Sequence, residues 1–139
     1  MVKILECGIW AWKGNLKTPT VFEVAIGEHQ NIPYVIIADL PDECRIGGKS
    51  SIGGGLAENI ISSLYEDMKD KLGNKALTDI KWFSWTRSSI DEVKIRLKNG
   101  ELYIDDFSSV TSRDKEIIEE ILDKCNCPFV KDIRKYHKF

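Results

Sequence analysis

The chain has 139 residues, of which 42% are hydrophobic and 30% are charged, and its formal net charge is −2. This composition is typical of one globular domain with a substantial core. It disfavours proteins that bind nucleic acids or anionic membranes through a broad positive field, because such a field needs an excess of lysine and arginine. We therefore expect neither a membrane nor a nucleic acid as the partner.

The sequence predicts a cytoplasmic protein. Residues 1–6 lack the apolar stretch of a signal peptide, and no run approaches the roughly 20 apolar residues that span a bilayer. In a reducing compartment we expect the four cysteines to be free thiols. They are Cys7, Cys44, Cys125 and Cys127. A single residue separates Cys125 from Cys127, which is too few for the usual zinc-binding pair, so we predict no metal there.

Residues 4–13 and 20–26 alternate in character and predict two antiparallel strands. The first strand places Leu5, Cys7, Ile9 and Ala11 on one side and Glu6, Trp10 and Trp12 on the other. In the second strand, Phe22, Val24 and Ile26 alternate with Val21, Glu23 and Ala25. Gly14 and Asn15 suit the hairpin turn between the strands. Because Glu6 shares their side, we expect Trp10 and Trp12 to lie on the less buried side.

A third strand and a helix follow. Residues 34–38 are apolar at every position, which is typical of a central strand covered on both faces. The next pattern repeats every four residues, as an amphipathic helix requires. Its members are Leu56, Ile60, Leu64, Met68 and Leu72. Gly73 and Asn74 indicate a left-handed end to this helix.

Three further strands and a second helix complete the chain. Residues 80–87 alternate with Trp82 opposite Phe83, residues 93–97 predict a half-exposed strand, and Asn99–Gly100 is the strongest hairpin signal. Residues 111–114 have the form of a capping box, with an aspartate in place of glutamate, before a helix that ends by Pro128.

The predicted order is therefore β-β-β-α-β-β-β-α, in one α+β domain that comprises residues 1–139. We expect a mostly antiparallel sheet of five or six strands, with two main helices on one or both faces. Residues 128–139 are interpreted as a basic C-terminal extension, since they carry several lysines and an arginine.

A glycine-rich segment between the third strand and the first helix is the candidate ligand site. Residues 47–50 match the end of a P-loop, but Glu43 stands where that motif needs glycine, so we reject a P-loop. Ser50 or Ser51 would cap the helix. The glycines at residues 53–55 would expose backbone N–H groups that can bind phosphate or carboxylate. The alternative is close packing of the glycines against a neighbouring backbone or subunit. The predicted ligand-binding residues are Arg45, Lys49, Ser50, Ser51, Gly53, Gly54, Gly55, Trp10 and Trp12.

Each of the other candidate groups has a simpler alternative. Trp10 and Trp12 would stack a nucleotide base, or would simply fill the core of a small sheet protein. Asp39, Asp42 and Glu92 would bind a hard cation if they converge within about 5 Å, whereas acids in loops and on strand faces are commonly solvated. Glu92 also begins an acid-x-lysine element like that of a common nuclease site. We predict no cofactor and no resident metal.

Residues 35–42, followed by Ser51-Ile52 and residues 56–60, resemble a pattern found in short uncharacterised bacterial proteins. In those proteins an apolar strand leads into Leu-Pro-Asp, a polar loop with glycine and serine, and a helix with an early Ala-Glu pair. The pattern covers about a fifth of this chain. The resemblance implies the same strand–loop–helix arrangement and implies no activity.

Three functional hypotheses follow, and the first is preferred. The first is a non-catalytic domain that binds a small anionic ligand such as a nucleotide, as in a host, phage or plasmid protein that captures a nucleotide signal. The second is a protein-interaction or immunity-type module that acts through the hairpin at residues 93–107 or through the Trp10/Trp12 face. The third is a metal-dependent hydrolase or nuclease. A homo-oligomer is compatible with each of them.

Overall fold

The computed structural model describes residues 1–12, 20–40, 56–86 and 89–125. The elements in chain order are β1 (Lys3–Trp12), β2 (Thr20–His29), β3 (Ile32–Ala38), α1 (Leu56–Met68), β4 (Lys81–Trp85), β5 (Ile90–Lys98), β6 (Glu101–Ser109) and α2 (Ser112–Lys124). A short 3₁₀ turn, Leu77–Asp79, precedes β4. This order confirms the predicted α+β fold.

The six strands form one sheet whose spatial order follows the chain, from β1 at one edge to β6 at the other. Neighbouring strands are antiparallel except for β3 and β4, which run parallel. A parallel pair cannot be joined by a tight turn, and α1 lies in the crossover between these two strands. β3 and β4 are therefore central, which explains why residues 34–38 are apolar at every position.

The two helices pack on opposite faces of the sheet, and each covers its own hydrophobic cluster. In β3, Val35 and Ile37 point into the α1-side core, whereas Tyr34 and Ile36 point into the α2-side core. α1 contacts both edge strands, β1 and β6, so it crosses the width of the sheet. The sequence left open whether helices cover one face or both, and the structure has them on both.

The prediction that Trp10 lies on the less buried side of β1 is wrong. Trp10 is 7% exposed and belongs to the α1-side core, whereas Ile9 is 68% exposed. A register shift in the first half of β1 also places Leu5 against the α1-side core, opposite to Cys7. Because α1 reaches across to β1, the Trp10 side of the strand is covered and the Ile9 side is not.

Two predicted turns are confirmed by their backbone angles. Asn99 and Gly100 have φ of 53° and 76° and join β5 to β6, as a two-residue hairpin with both residues left-handed requires. Gly73 and Asn74 are left-handed as predicted, with φ of 71° and 56°, but α1 itself ends at Met68 and these residues end the turn that follows it. The predicted turn at Gly14–Asn15 lies outside the described residues.

A disulfide joins Cys7 of β1 to Cys125, the residue after α2, with 5.5 Å between the two Cα atoms. The prediction of free thiols is therefore wrong for this pair, while Cys44 and Cys127 lie outside the described residues. The pairing spans 118 residues of sequence, and it depends on the end of α2 reaching β1, which no local pattern indicates.

Disulfides persist mainly in oxidising compartments, so the cytoplasmic location stays a prediction. Within the described ranges, no helix is long and apolar enough to cross a membrane.

Candidate functional site

Seven of the nine predicted ligand-binding residues lie outside the described residues. They are Arg45, Lys49, Ser50, Ser51, Gly53, Gly54 and Gly55. The structure therefore describes only the aromatic half of the predicted site, at Trp10 and Trp12.

Trp10 is a core residue. Its ring lies 6.1 Å from that of Phe22, and its indole N–H donates to the Asp67 carboxylate at 2.7 Å. Asp67 belongs to the last turn of α1, so this hydrogen bond ties the helix end to the edge of the sheet. Trp12 is half-buried and packs against the same α1-side core. Stacking on a base needs an open ring face, and Trp10 does not present one.

A cavity of about 410 Å³ lies on the other face of the same two strands. Its lining includes Ile9 of β1, Val21 and Glu23 of β2, and Ala38 and Asp39 at the end of β3. Ile9 is the register partner of Glu23, and Ile9 and Val21 are 68% and 57% exposed. The cavity is thus bordered by large apolar side chains that neither helix covers.

The charged side chains in the described lining of the cavity are acidic. Glu23 and Asp39 line it, and none of the described lining residues is cationic. Asp39 is exposed and has a φ of 54°, and its N–H donates to the carbonyl of Trp85 on β4. This bond fixes the backbone of Asp39 at the end of the central parallel pair. The cavity therefore favours a cationic or apolar occupant over an anionic one.

The two edges of the sheet differ in how they are protected. Exposed acids accompany β6 at Glu101, Asp105 and Asp106, and charged residues on an edge strand discourage other strands from pairing with it. Residues 7–12 of β1 carry no charge. A Cβ added at Gly8 would meet no atom within 4 Å, so the backbone is uncrowded there. Among the described strands, β1 pairs only with β2. Among the described residues, the second half of β1 is thus the edge without such charges.

A buried polar cluster anchors the start of α2. The Thr111 side chain accepts a hydrogen bond from the Asp114 N–H at 3.2 Å, as the predicted N-cap requires. The Asp114 carboxylate turns into the α2-side core, where it accepts hydrogen bonds from Tyr34 Oη and Lys81 Nζ, each at 2.8 Å. The carboxylate therefore binds the sheet, instead of reaching back to the cap as in a capping box.

Tyr34 is held neutral in this cluster. Burial raises its pKa well above the ordinary value of 10.0, and the hydrogen bond to Asp114 acts in the same direction. The ring stacks on Phe83 with 5.6 Å between centroids. A tyrosine with a raised pKa is a poor general base, so the cluster is best understood as a structural anchor for α2.

Of the three carboxylates in the metal hypothesis, the structure describes Asp39 and Glu92. Glu92 is 8% exposed and pairs with Lys94 at 3.1 Å, which accounts for the acid-x-lysine pattern. Asp42 lies outside the described residues. In the described part of the chain, no three His, Cys, Asp or Glu side chains are grouped so as to hold a metal ion.

The N-terminal end of β1 is fastened to α2. The Val2 N–H donates to the Glu120 carboxylate at 2.7 Å, and Lys124 Nζ donates to the Val2 carbonyl at 3.2 Å and to Glu120 at 3.1 Å. The Val2 N–H and then Lys124 lower the pKa of Glu120. Further along β1, the Cys7–Cys125 disulfide also joins the strand to the end of α2.

Sequence reasoning missed Ile9, Val21 and the β1 edge. One available signal was the lack of charge over residues 7–12, which contrasts with the acids of β6. Comparison with known proteins adds no further assignment, because no protein-family model, curated protein or solved structure matches this chain.

Proposed function

We propose that this domain is a non-catalytic protein-binding module, whose β1 edge accepts an extended segment of a partner protein. The observation that carries the proposal is the uncharged stretch at residues 7–12, with Ile9 68% exposed beside the cavity. This develops the protein-interaction hypothesis, and moves the contact from the Trp10 side of β1 to the Ile9 side.

Strand addition accounts for these features together. An extended peptide that pairs with an exposed edge gains main-chain hydrogen bonds, and alternate side chains supply specificity through neighbouring pockets. A strand beside β1 would place alternate side chains next to Ile9, on the face that also carries Val21 of β2, one strand further into the sheet. Apolar side chains there would remove the exposed surface of Ile9 from water.

The charge of the cavity indicates the partner's chemistry. Asp39 is exposed at the cavity, and none of the described lining residues is cationic. A lysine or arginine among the partner's apolar residues would complement this charge, and charge complementarity increases both specificity and association rate. The proposed ligand is therefore an extended segment of alternating apolar residues that carries one or more cations.

The test uses a displayed library of random nine-residue peptides, selected against the purified full chain. We expect enrichment of alternating apolar peptides with lysine or arginine, and slower amide hydrogen exchange at residues 7–12 when a selected peptide is bound. Ile9→Lys should weaken binding at least tenfold, because it places a charge in the apolar contact and repels a cationic segment. Since Ile9 is already exposed, this variant should fold.

Leu97→Lys is the matched control. Leu97 is 44% exposed on β5, away from β1, so binding should be unchanged. Enrichment of acidic peptides, or equal binding by the Ile9→Lys variant and the unmodified chain, would overturn the proposal. Binding of a nucleotide at residues 45–55 remains a separate prediction, tested by thermal shift with a panel of mono-, di- and cyclic nucleotides.

A further inference from the structure

The Cys7–Cys125 disulfide links two elements that are far apart in the chain. Cys7 lies within β1 and Cys125 directly follows α2. Cys125 is 2% exposed, whereas Cys7 is partly exposed. Of the two cysteines, Cys7 is therefore the one nearer to solvent.

The bridge belongs to one of the two cores, because Cys125 is buried in the α2-side core and Cys7 packs against it. The α1-side core, on the opposite face of the sheet, contains neither cysteine. α2 is held to its own face by four buried side chains and by the Asp114 anchor at its other end. The four buried side chains are Ile117, Ile118, Ile121 and Leu122. Near the bridge, the polar contacts between α2 and the start of β1 include the hydrogen bonds of Val2 with Glu120 and Lys124.

We propose that the Cys7–Cys125 pair is a thiol–disulfide exchange site for a dithiol reductant, and that its redox state decides whether the end of α2 is held to β1. This inference goes beyond peptide binding and does not depend on it. The physical reason is that the disulfide is a covalent link between the two elements. While the bridge is closed, the last turn of α2 and the middle of β1 cannot separate, and once it opens this covalent restraint is lost while non-covalent contacts such as those of Val2 remain.

The exchange balances with one dithiol. A thiolate of the reductant attacks Sγ of Cys7, forming a mixed disulfide while Cys125 leaves as a thiolate and takes up a proton. The second thiolate of the reductant attacks the reductant's own sulfur in the mixed disulfide and releases Cys7, which is protonated in turn. Two electrons and two protons pass to the protein, and the reductant becomes a disulfide.

The experiment uses the oxidised full chain in non-denaturing buffers with increasing ratios of reduced to oxidised dithiothreitol. Thiols are trapped with N-ethylmaleimide and assigned by peptide mapping, which separates Cys7 and Cys125 from Cys44 and Cys127. We expect Cys7 and Cys125 to become labelled together while far-ultraviolet circular dichroism is retained. Amide hydrogen exchange should become at least tenfold faster at residues 120–125 and stay unchanged in α1.

The Cys7→Ser/Cys125→Ser double variant is the matched reduced state. Its hydrogen exchange at residues 120–125 should equal that of the reduced chain and should not respond to dithiothreitol. The inference is overturned if Cys7 is labelled only as fast as the whole domain unfolds, if reduction abolishes the fold, or if the end of α2 exchanges equally in both redox states.

Discussion

Replacing Tyr34 with phenylalanine tests the anchor that holds α2 to the sheet. The variant keeps the ring that stacks on Phe83 and removes only the hydroxyl that donates to Asp114 at 2.8 Å. Tyr34 is 3% exposed and Asp114 is also 3% exposed, so water cannot easily replace the lost donor. Hydrogen bonds to charged groups contribute about 1.5–3 kcal/mol, and Lys81 still pairs with the carboxylate. We therefore expect the free energy of unfolding to fall by about 2 kcal/mol at pH 8.

The pH dependence has a definite sign. The pKa of Tyr34 is raised in the folded state above its ordinary value of 10.0. The stability that Tyr34 contributes is therefore fully present below pH 10, and is lost as the pH rises further, because the unfolded chain releases this proton first. Near pH 11, the difference between the unmodified chain and Tyr34→Phe should be smaller by about 1.4 kcal/mol.

The assay is urea unfolding at several pH values between 8 and 11, with the free energy obtained by linear extrapolation. Tyr103→Phe is the control, because its hydroxyl makes an exposed hydrogen bond of 3.3 Å to Glu101. That variant should change stability by less than about 0.5 kcal/mol. If Tyr34→Phe costs no more than Tyr103→Phe at pH 8, or if the difference from the unmodified chain widens above pH 10, the anchor does not act as described.

Two further substitutions test the packing on each face of the sheet by the same urea assay. Gly27→Ala should destabilise the domain by about 1–3 kcal/mol, because a Cβ at Gly27 would lie 2.6 Å from Cγ1 of buried Ile121. The control Gly8→Ala should be nearly neutral, since a Cβ at Gly8 meets nothing within 4 Å. Equal losses of stability in the two variants would contradict the close packing of α2. Trp10→Phe should lower the free energy of unfolding by about 2–3 kcal/mol, because it removes the donor to Asp67 as well as buried ring atoms. An unchanged stability would show that the end of α1 does not depend on this hydrogen bond.

The sequence by itself determined the succession of strands and helices. Each element has a hydrophobic period that depends on which of its faces are buried, and this period can be read from neighbouring residues alone. Examples are the alternation in the strands, the apolar run at residues 34–38 and the four-residue repeat from Leu56. The hairpin at Asn99–Gly100 was predictable for a similar reason, since few residues tolerate two successive left-handed conformations. The predicted glycine-rich ligand site lies outside the described residues and stays a prediction.

Only the tertiary structure decided which surfaces are covered. Alternation in β1 separates Trp10 from Ile9, but the path of α1 across the sheet determines that Trp10 is the buried one. The same holds for Cys7 and Cys125, which meet because α2 ends beside β1, and for Asp114, whose carboxylate binds Tyr34 instead of its own helix cap. These outcomes depend on residues distant in sequence, because burial and hydrogen bonding are set by whichever element packs against a given face.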